Sequence, residues 1–175
     1  ASGSGEPGMT IAAQVPRGRV VLSDLSPQML DVAVRRAAAR RIANIETTVC
    51  SADDLPFDDA SFHGVAARFG YMFFPELDTA TAEMARVLRP GGRLTASVWA
   101  ARGDNPWATI VVDAVGEEVE LPAPPPGTPG VFRCSAPGLM PSLLEAAGPG
   151  AAFEITLPDR PVAFDRAARA RAQAG

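Results

Sequence analysis

Three glycines near the start of the chain have a spacing that suits close contact with a bound group. Gly3, Gly5 and Gly8 follow the pattern G-x-G-x-x-G, in which residues without side chains let the backbone approach a ligand. Asp24 ends the next apolar run, and a carboxylate there can accept hydrogen bonds from both hydroxyls of a ribose. Together they indicate a site for a nucleoside-bearing cofactor, for which the spacing alone suggests a dinucleotide.

The basic and sulfur-containing residues exclude several kinds of catalytic and metal-binding chemistry. All 16 basic residues are arginine, which excludes a Schiff-base lysine, a phosphate-loop lysine and a lysine general base. Cys50 and Cys134 lie far apart without a CxxC partner. They predict two reduced thiols, neither a disulfide framework nor a metal site, and a cytoplasmic location.

The overall charge argues against a nucleic-acid partner. The net charge is −4, whereas nucleic-acid-binding domains usually carry a basic surface. A cluster of arginines at positions 35, 36, 40 and 41 is interpreted as a solvated helix face. No apolar run approaches the roughly 18 residues that a membrane helix needs. We therefore expect a small-molecule partner, with the oligomeric state left open.

Alternating strand and helix patterns must position the candidate residues. Strands are predicted at residues 19–23, 45–49, 62–68 and 93–99, with a last one within 153–163. Helices are predicted at residues 5–13, 29–41, 78–88, 106–120 and 139–147. An extended loop is predicted for the proline-rich residues 122–130. This alternation is typical of a doubly wound α/β fold with a mostly parallel, Rossmann-like sheet.

Both ends of the chain depart from a complete fold of this kind. The sequence begins within the glycine loop, so we expect the first strand to be missing, and no run near the C-terminus clearly completes the sheet. Residues 1–165 are predicted to form one domain that is incomplete at both ends. The Ala/Arg-rich residues 166–175 are predicted to be a frayed tail.

Five segments indicate a family. In order they are ASGSGEPG, DLSPQML, SADDLPFDDASF, RFGYMFFPE and EMARVLRPGGRL, within residues 1 to about 147. Together they resemble the class I S-adenosylmethionine-dependent methyltransferases, and among them the small-molecule group of ubiquinone and menaquinone biosynthesis. LPF-x-D-x-x-F and RVLRPGG are the specific parts, since dehydrogenases have no reason to carry both. The resemblance implies a methyltransferase whose cofactor is S-adenosylmethionine.

The resemblance also implies which residues hold the cofactor. The glycine loop would meet its methionine part, Asp24 its ribose, and Leu25 and Met29 its adenine. Residues 51–53 would meet the adenine edge, and Arg68 would contact the cofactor through its backbone. The implied cofactor-binding residues are Ser2, Gly3, Gly5, Asp24, Leu25, Met29, Ser51, Ala52, Asp53 and Arg68.

Two positions depart from the pattern of the group. Ser51 stands where Asp or Asn is usual and is a weaker acceptor for the adenine amino group, for which Asp53 could substitute. His63, the only histidine, stands where Asp is common, and we place it at a strand start away from the ligand and not as a catalytic base. Beyond the fourth and fifth strands of the family's sheet, the candidate substrate contacts are Tyr71, Asn105 and Trp107.

The expected reaction needs few side chains of its own. Methyl transfer from a sulfonium is an in-line displacement on an activated carbon, so alignment and exclusion of water supply much of the rate. We expect transfer to an oxygen or carbon of a small, apolar or aromatic acceptor, and we assign no catalytic residue. Two alternatives stay open: a cofactor-binding remnant without turnover, and an NAD-dependent oxidoreductase with the same glycine spacing.

Overall fold

Strands and helices alternate along the chain, as the apolar periodicity predicts. The computed structural model describes residues 1–120, 122, 124–125 and 127–147, and the backbone of 152–153. Within them the strands are β1 (Val20–Asp24), β2 (Ile45–Val49), β3 (Phe62–Arg68), β4 (Leu88–Ser97) and β5 (Ala152–Phe153). The helices are α1 (Gly8–Gln14), α2 (Pro27–Ala39), α3 (Leu77–Val87), α4 (Pro106–Gly116) and α5 (Leu139–Ala146). A short 3₁₀ turn at Tyr71–Phe73 follows β3, and another at Arg102–Asp104 follows β4.

All pairings between these strands are parallel. β1 pairs with β2, and β4 lies between β3 and β5. These are two separate sheets, and among the described residues no strand joins β1 to β3. Near the end of β1, the N–H of Ser2 donates a hydrogen bond to the carbonyl of Ser23, at 2.8 Å. The predicted α/β class with parallel strands is confirmed, with the strands divided between two sheets.

The observed bounds of three elements differ from the predicted ones, and capping explains the start of α2. α2 begins at Pro27 because Ser26 Oγ accepts a hydrogen bond from the N–H of Met29 at 3.3 Å, and proline suits the first turn. α4 ends at Gly116, short of the predicted residue 120. The RPGG segment ends α3 as predicted, but it then forms an irregular stretch inside β4. The predicted last strand beyond residue 153 and the tail from residue 166 lie outside the described residues.

Each sheet has its own group of buried apolar side chains. Leu22 of β1 packs with Leu30 and Ala33 of α2. A larger group joins β3 and β4 to α3 and α5, and its members include Met72, Ala80, Met84, Leu94, Leu143 and Leu144. Fully burying a side chain of leucine size stabilises the fold by about 1.5–3 kcal/mol. None of the helices in the described part of the chain is long and apolar enough to cross a membrane.

Arg86 of α3 fastens the loop between β2 and β3. Its guanidinium donates to the carbonyls of Leu55 and Phe57 at 3.0 and 2.8 Å, and to Asp59 at 2.7 Å. Glu83 accepts from Arg86 at 2.6 Å and from the N–H of Leu55 at 3.0 Å. The hydrogen bond from Arg86 lowers the pKa of Glu83. The segments LPFDDASF and EMARVLRPGG therefore fit each other physically.

We expect Arg86→Gln to lower the melting temperature, because a glutamine amide cannot reach all of these acceptors. The exposed Arg17 provides the control, Arg17→Gln. Circular dichroism on heating compares both variants with the parent chain. Equal melting temperatures for all three proteins would show that the loop needs no such anchor.

Candidate functional site

A cleft of about 440 Å³ opens where β1 and β3 end. Ligands of parallel α/β folds bind beyond the carboxyl ends of the strands. The walls of this cleft come from both sheets. They are formed by Ala1, Ser2, Gly3, Ser4, Glu6, Asp24, Met29, Arg68, Phe69, Gly70 and Phe73.

The glycine loop reaches the cleft through two residues with left-handed backbone. Gly3 has φ +52° and Gly5 has φ +107°. A residue that carries a side chain adopts such a conformation only at a cost in free energy. A Cβ at Gly5 would lie 2.8 Å from Met9 Cε and 3.2 Å from Ala33 Cβ, whereas one at Gly3 would meet nothing within 4 Å. Gly5 is therefore required by packing, and Gly3 leaves space in the cleft wall.

Asp24 joins this loop to the end of β1. Its Oδ2 accepts a hydrogen bond from the N–H of Gly3 at 2.7 Å, and its Oδ1 accepts one from the N–H of Ser26 at 3.0 Å. The carboxylate lines the cleft, and an ionised carboxylate has about four acceptor positions in total. It can therefore hold the loop and accept hydroxyl groups of a ligand at the same time.

Ser2 carries a polar atom without a partner. Its Oγ is buried and forms no hydrogen bond within the described part of the chain. Such a group costs about 1–3 kcal/mol when it stays unpaired. Because Ser2 lines the cleft, a ligand with a polar group at this position would remove that cost. The hydroxyl is thus a mark of a polar ligand on the glycine side of the cleft.

Arg36 of α2 and Arg40, the residue directly after this helix, contact the glycine loop. Arg36 donates to the carbonyl and hydroxyl oxygens of Ser4 at 2.9 and 2.7 Å. Arg40 forms an ion pair with Glu6 at 2.6 Å. Arg36 is thus partly buried against the loop, whereas Arg40 keeps the exposed position predicted for the cluster. Their i, i+4 spacing, which places them on one helix face, is the sequence signal for this shared role.

Aromatic residues form the wall on the β3 side. The rings of Phe69 and Trp99 stack with centroids 4.2 Å apart and planes 8° apart. Trp107 packs on Trp99 with centroids 4.7 Å apart, and the half-exposed Phe73 lines the cleft. Phe69 and Phe73 are site residues that the sequence pattern did not predict, although their place directly after β3 is the available signal.

Residues 1–92 match a family described as a methyltransferase domain. They are more than half of the chain and include the glycine loop, Asp24 and most of the cleft wall. The chain belongs to this methyltransferase family. The predicted relationship is confirmed, and it decides against the oxidoreductase alternative.

Two curated relatives of this methyltransferase domain carry the names of quinone methyltransferases. A demethylmenaquinone methyltransferase of Deinococcus radiodurans is 40% identical over 94 residues, which are 54% of this chain and 39% of the relative. A ubiquinone/menaquinone biosynthesis C-methyltransferase of Brucella anthropi is 39% identical over 95 residues, 53% of this chain and 36% of the relative. The chain spans about two fifths of the length of these relatives.

Solved structures of similar fold agree. The YcgJ protein of Bacillus subtilis superposes with a TM-score of 0.60 at 23% identity, over 83% of this chain and 58% of that protein. A SAM-dependent methyltransferase of Aquifex aeolicus superposes with a TM-score of 0.58 at 20% identity, over 84% and 68%. These likenesses confirm the Rossmann-like fold of the methyltransferase domain.

The implied cofactor residues fall into two groups. Ser2, Gly3, Asp24, Met29 and Arg68 line the cleft, and Gly5 is buried beneath it. The remaining implied cofactor residues lie outside the cleft wall. Leu25 is 63% exposed and does not form part of the cleft wall. The half-buried residues 51–53 follow β2 and also lie outside the wall.

None of the three candidate substrate contacts forms part of the cleft wall. Tyr71 is fully buried and its hydroxyl pairs with Thr81. Burial raises the pKa of Tyr71 to about 12, so the phenol stays protonated at neutral pH. Asn105 is buried and donates to the carbonyls of Ala100 and Ala101 at 3.1 and 3.0 Å, which closes its own turn. Trp107 is half-exposed, and substrate contact by these three residues stays a prediction.

His63 lies near the amino end of β3, at the edge opposite the cleft. Its Nε2 is 3.0 Å from Nη1 of Arg89. This is the strand-start position that the sequence predicts for it, away from the ligand edge.

A pair of glycine variants separates packing from binding. We expect Gly5→Ala to lower the melting temperature more than Gly3→Ala, because both have positive φ but only the Cβ at position 5 collides with neighbours. Gly3→Ala is expected to weaken ligand binding at the cleft instead. Thermal melting and calorimetric titration of both variants check this, and the reverse ranking in melting would contradict it.

Tyr71→Phe tests the core role of Tyr71. Loss of the hydroxyl that pairs with Thr81 should cost about 1 kcal/mol of the free energy of unfolding. Because the ring stays in the core, cofactor affinity should not change. Urea unfolding and calorimetry measure the two quantities. A variant of unchanged stability with impaired acceptor binding would return Tyr71 to the substrate site.

Proposed function

We propose that this methyltransferase domain binds S-adenosylmethionine and transfers its methyl group to an oxygen or carbon of a small, apolar or aromatic acceptor. The observation that carries the proposal is the glycine loop held by Asp24 at the carboxyl end of β1, in a chain that belongs to a methyltransferase family. The relatives named for quinone methylation support an aromatic or quinonoid acceptor.

The residues of the cleft fit the cofactor in chemistry and position. Asp24 offers acceptors to the ribose hydroxyls, and the unpaired Ser2 hydroxyl and Gly3 suit the polar methionine end. Met29 offers an apolar surface to the adenine, with Leu25 beside it, and residues 51–53 would meet the adenine edge. Arg68 would contact the cofactor through its backbone. The cofactor supplies a methyl group already activated by positive sulfur.

The chain itself contributes alignment and a dry surface. Methyl transfer requires the acceptor atom, the methyl carbon and the sulfur in line, and holding that geometry accounts for much of the rate. Phe69 and Phe73 of the cleft wall offer an apolar contact surface to an acceptor and would limit its exposure to water. Asn105 positions the turn that precedes Trp107. In this arrangement no side chain of the cleft has to act as a catalytic base.

The net charge and the two cysteines bear on the class of substrate and on the compartment of the enzyme. A net charge of −4 favours a small-molecule substrate over nucleic acid. Cys50 and Cys134 are both unpaired, and burial raises the pKa of each thiol. Reduced, protonated thiols are in keeping with a cytoplasmic enzyme.

Calorimetric titration with S-adenosylhomocysteine tests the proposal. We expect the parent chain to bind it and Asp24→Asn to bind it about 10- to 100-fold more weakly, the effect of losing charge-assisted hydrogen bonds. Asp31→Asn on the exposed face of α2 is the control and should bind normally. Absence of binding by a folded parent chain, with NADH binding in its place, would refute the proposal. Binding without methylation of any phenol or quinol offered would favour the cofactor-binding remnant.

A further inference from the structure

The part of the cleft wall that follows β3 lies on a short turn. Phe73 is the last residue of the 3₁₀ turn Tyr71–Phe73, and its half-exposed ring lines the cleft. Its neighbours Met72 and Phe74 are buried in the larger apolar group of β3, β4, α3 and α5. The place of the Phe73 ring therefore depends on how firmly the backbone of this turn is held.

The sequence of the turn leaves carbonyl groups that it cannot pair by itself. In a 3₁₀ helix each carbonyl accepts a hydrogen bond from the N–H three residues later. For Met72 that residue is Pro75, which has no N–H. The carbonyls of Phe74 and Pro75 follow directly, before α3 begins at Leu77. Because backbone carbonyls in partly buried positions need donors, the backbone around Phe73 depends on donors from another part of the chain.

A segment far along the chain supplies these donors. The N–H of Gly130 donates to the carbonyl of Met72 at 3.2 Å. The guanidinium of Arg133 donates to the carbonyl of Phe74 and, at 3.0 Å, to the carbonyl of Pro75. The peptide groups on both sides of the exposed ring are therefore held by residues that are 58 and 59 positions away from them in the case of Arg133.

The donor segment, residues 130–135, is itself fixed. The Oγ of Ser135 donates to the carbonyl of Phe132 at 2.7 Å, which closes the turn of this segment. Cys134 is buried in the larger apolar group and joins the segment to the core. The half-buried Arg133 thus extends from a fixed backbone. Its planar guanidinium presents several N–H donors in a rigid arrangement, which suits two neighbouring carbonyls better than a single ammonium does.

The anchor and the cofactor residues come from different parts of the chain. The family match covers residues 1–92, which include the glycine loop and Asp24. Arg133 lies beyond this match and does not line the cleft. A change at Arg133 can therefore alter the wall at Phe73 without touching the residues proposed to hold the cofactor.

We propose, building on the proposed function, that Arg133 is a positioning residue for the methyl acceptor. It fixes the turn that carries Phe73 and thereby sets the shape of the wall that an acceptor contacts. A ring that is held in place before the acceptor arrives does not have to be ordered on binding, which saves conformational entropy. Arg133 thus favours binding of the acceptor, whereas binding of the cofactor on the glycine side is independent of it.

Fluorine NMR of the chain with 4-fluorophenylalanine in place of Phe73 tests whether the ring is held. The parent chain should give one narrow resonance. Arg133→Met keeps the apolar stem but removes the donors, so the resonance should broaden or split as the turn samples several positions. Arg133→Lys can still donate to one carbonyl and should restore part of the parent spectrum. The exposed Arg35 supplies the control Arg35→Met, which should match the parent chain.

Steady-state kinetics separate positioning from a general loss of structure. With a phenol or quinol that the parent chain methylates, Arg133→Met should raise KM for that acceptor about 2- to 10-fold, the effect of having to order one side chain on binding. KM for S-adenosylmethionine should stay unchanged. An equal rise of both KM values would overturn the proposal.

The fluorine spectra keep this proposal distinct from the one on which it rests. Several or broad resonances from the parent chain overturn it without recourse to any variant. A narrow, unshifted resonance in Arg133→Met, with normal binding of S-adenosylhomocysteine, also overturns it while the methyltransferase proposal stands. If the folded parent chain does not bind S-adenosylhomocysteine, the methyltransferase proposal fails, and the spectra still decide whether Arg133 holds the turn.

Discussion

The hydrogen bond from the Gly3 N–H to the Asp24 carboxylate, 2.7 Å long, is the interaction on which the candidate site depends. It ties a loop with left-handed backbone to the end of a buried strand. The loop thereby acquires a fixed place relative to β1, and α2 secures the same loop through Arg36 and Arg40. A carboxylate used in this way has two tasks, since the group that builds the cleft is also the group that offers acceptors to a ribose.

In the loop between β2 and β3, one side chain likewise makes several contacts. A single guanidinium, that of Arg86, takes up three separate acceptors of that loop, while its helix neighbour Glu83 secures the N–H of Leu55. Two segments that are distant in sequence are thus complementary in hydrogen bonding. This explains in physical terms why they occur together in a chain of this family, independently of any contact with a ligand.

The sequence predicted local structure well because strand and helix periodicities depend on near neighbours. The glycine loop and Asp24 were visible for the same reason. The residues of the cleft wall that follow β3 could not be identified from the sequence pattern. Phe69 has φ +53° and a 3₁₀ turn follows at once, so simple alternation does not tell which of the consecutive aromatic residues faces the cleft. Tyr71 turns into the core and Phe73 outward, a choice made by tertiary packing around Thr81. The division into two sheets agrees with the expectation that the first strand of the fold is missing from these residues.

That division has a thermodynamic consequence. Within the described residues the β1–β2 sheet and the β3–β4–β5 sheet form two units with separate apolar groups. The cleft lies across the two units. A ligand that spans it binds only when both are folded and adjacent, and its binding free energy therefore adds to the cohesion between them. A bound ligand that touches both walls of the cleft is therefore expected to raise the melting temperature as its concentration rises.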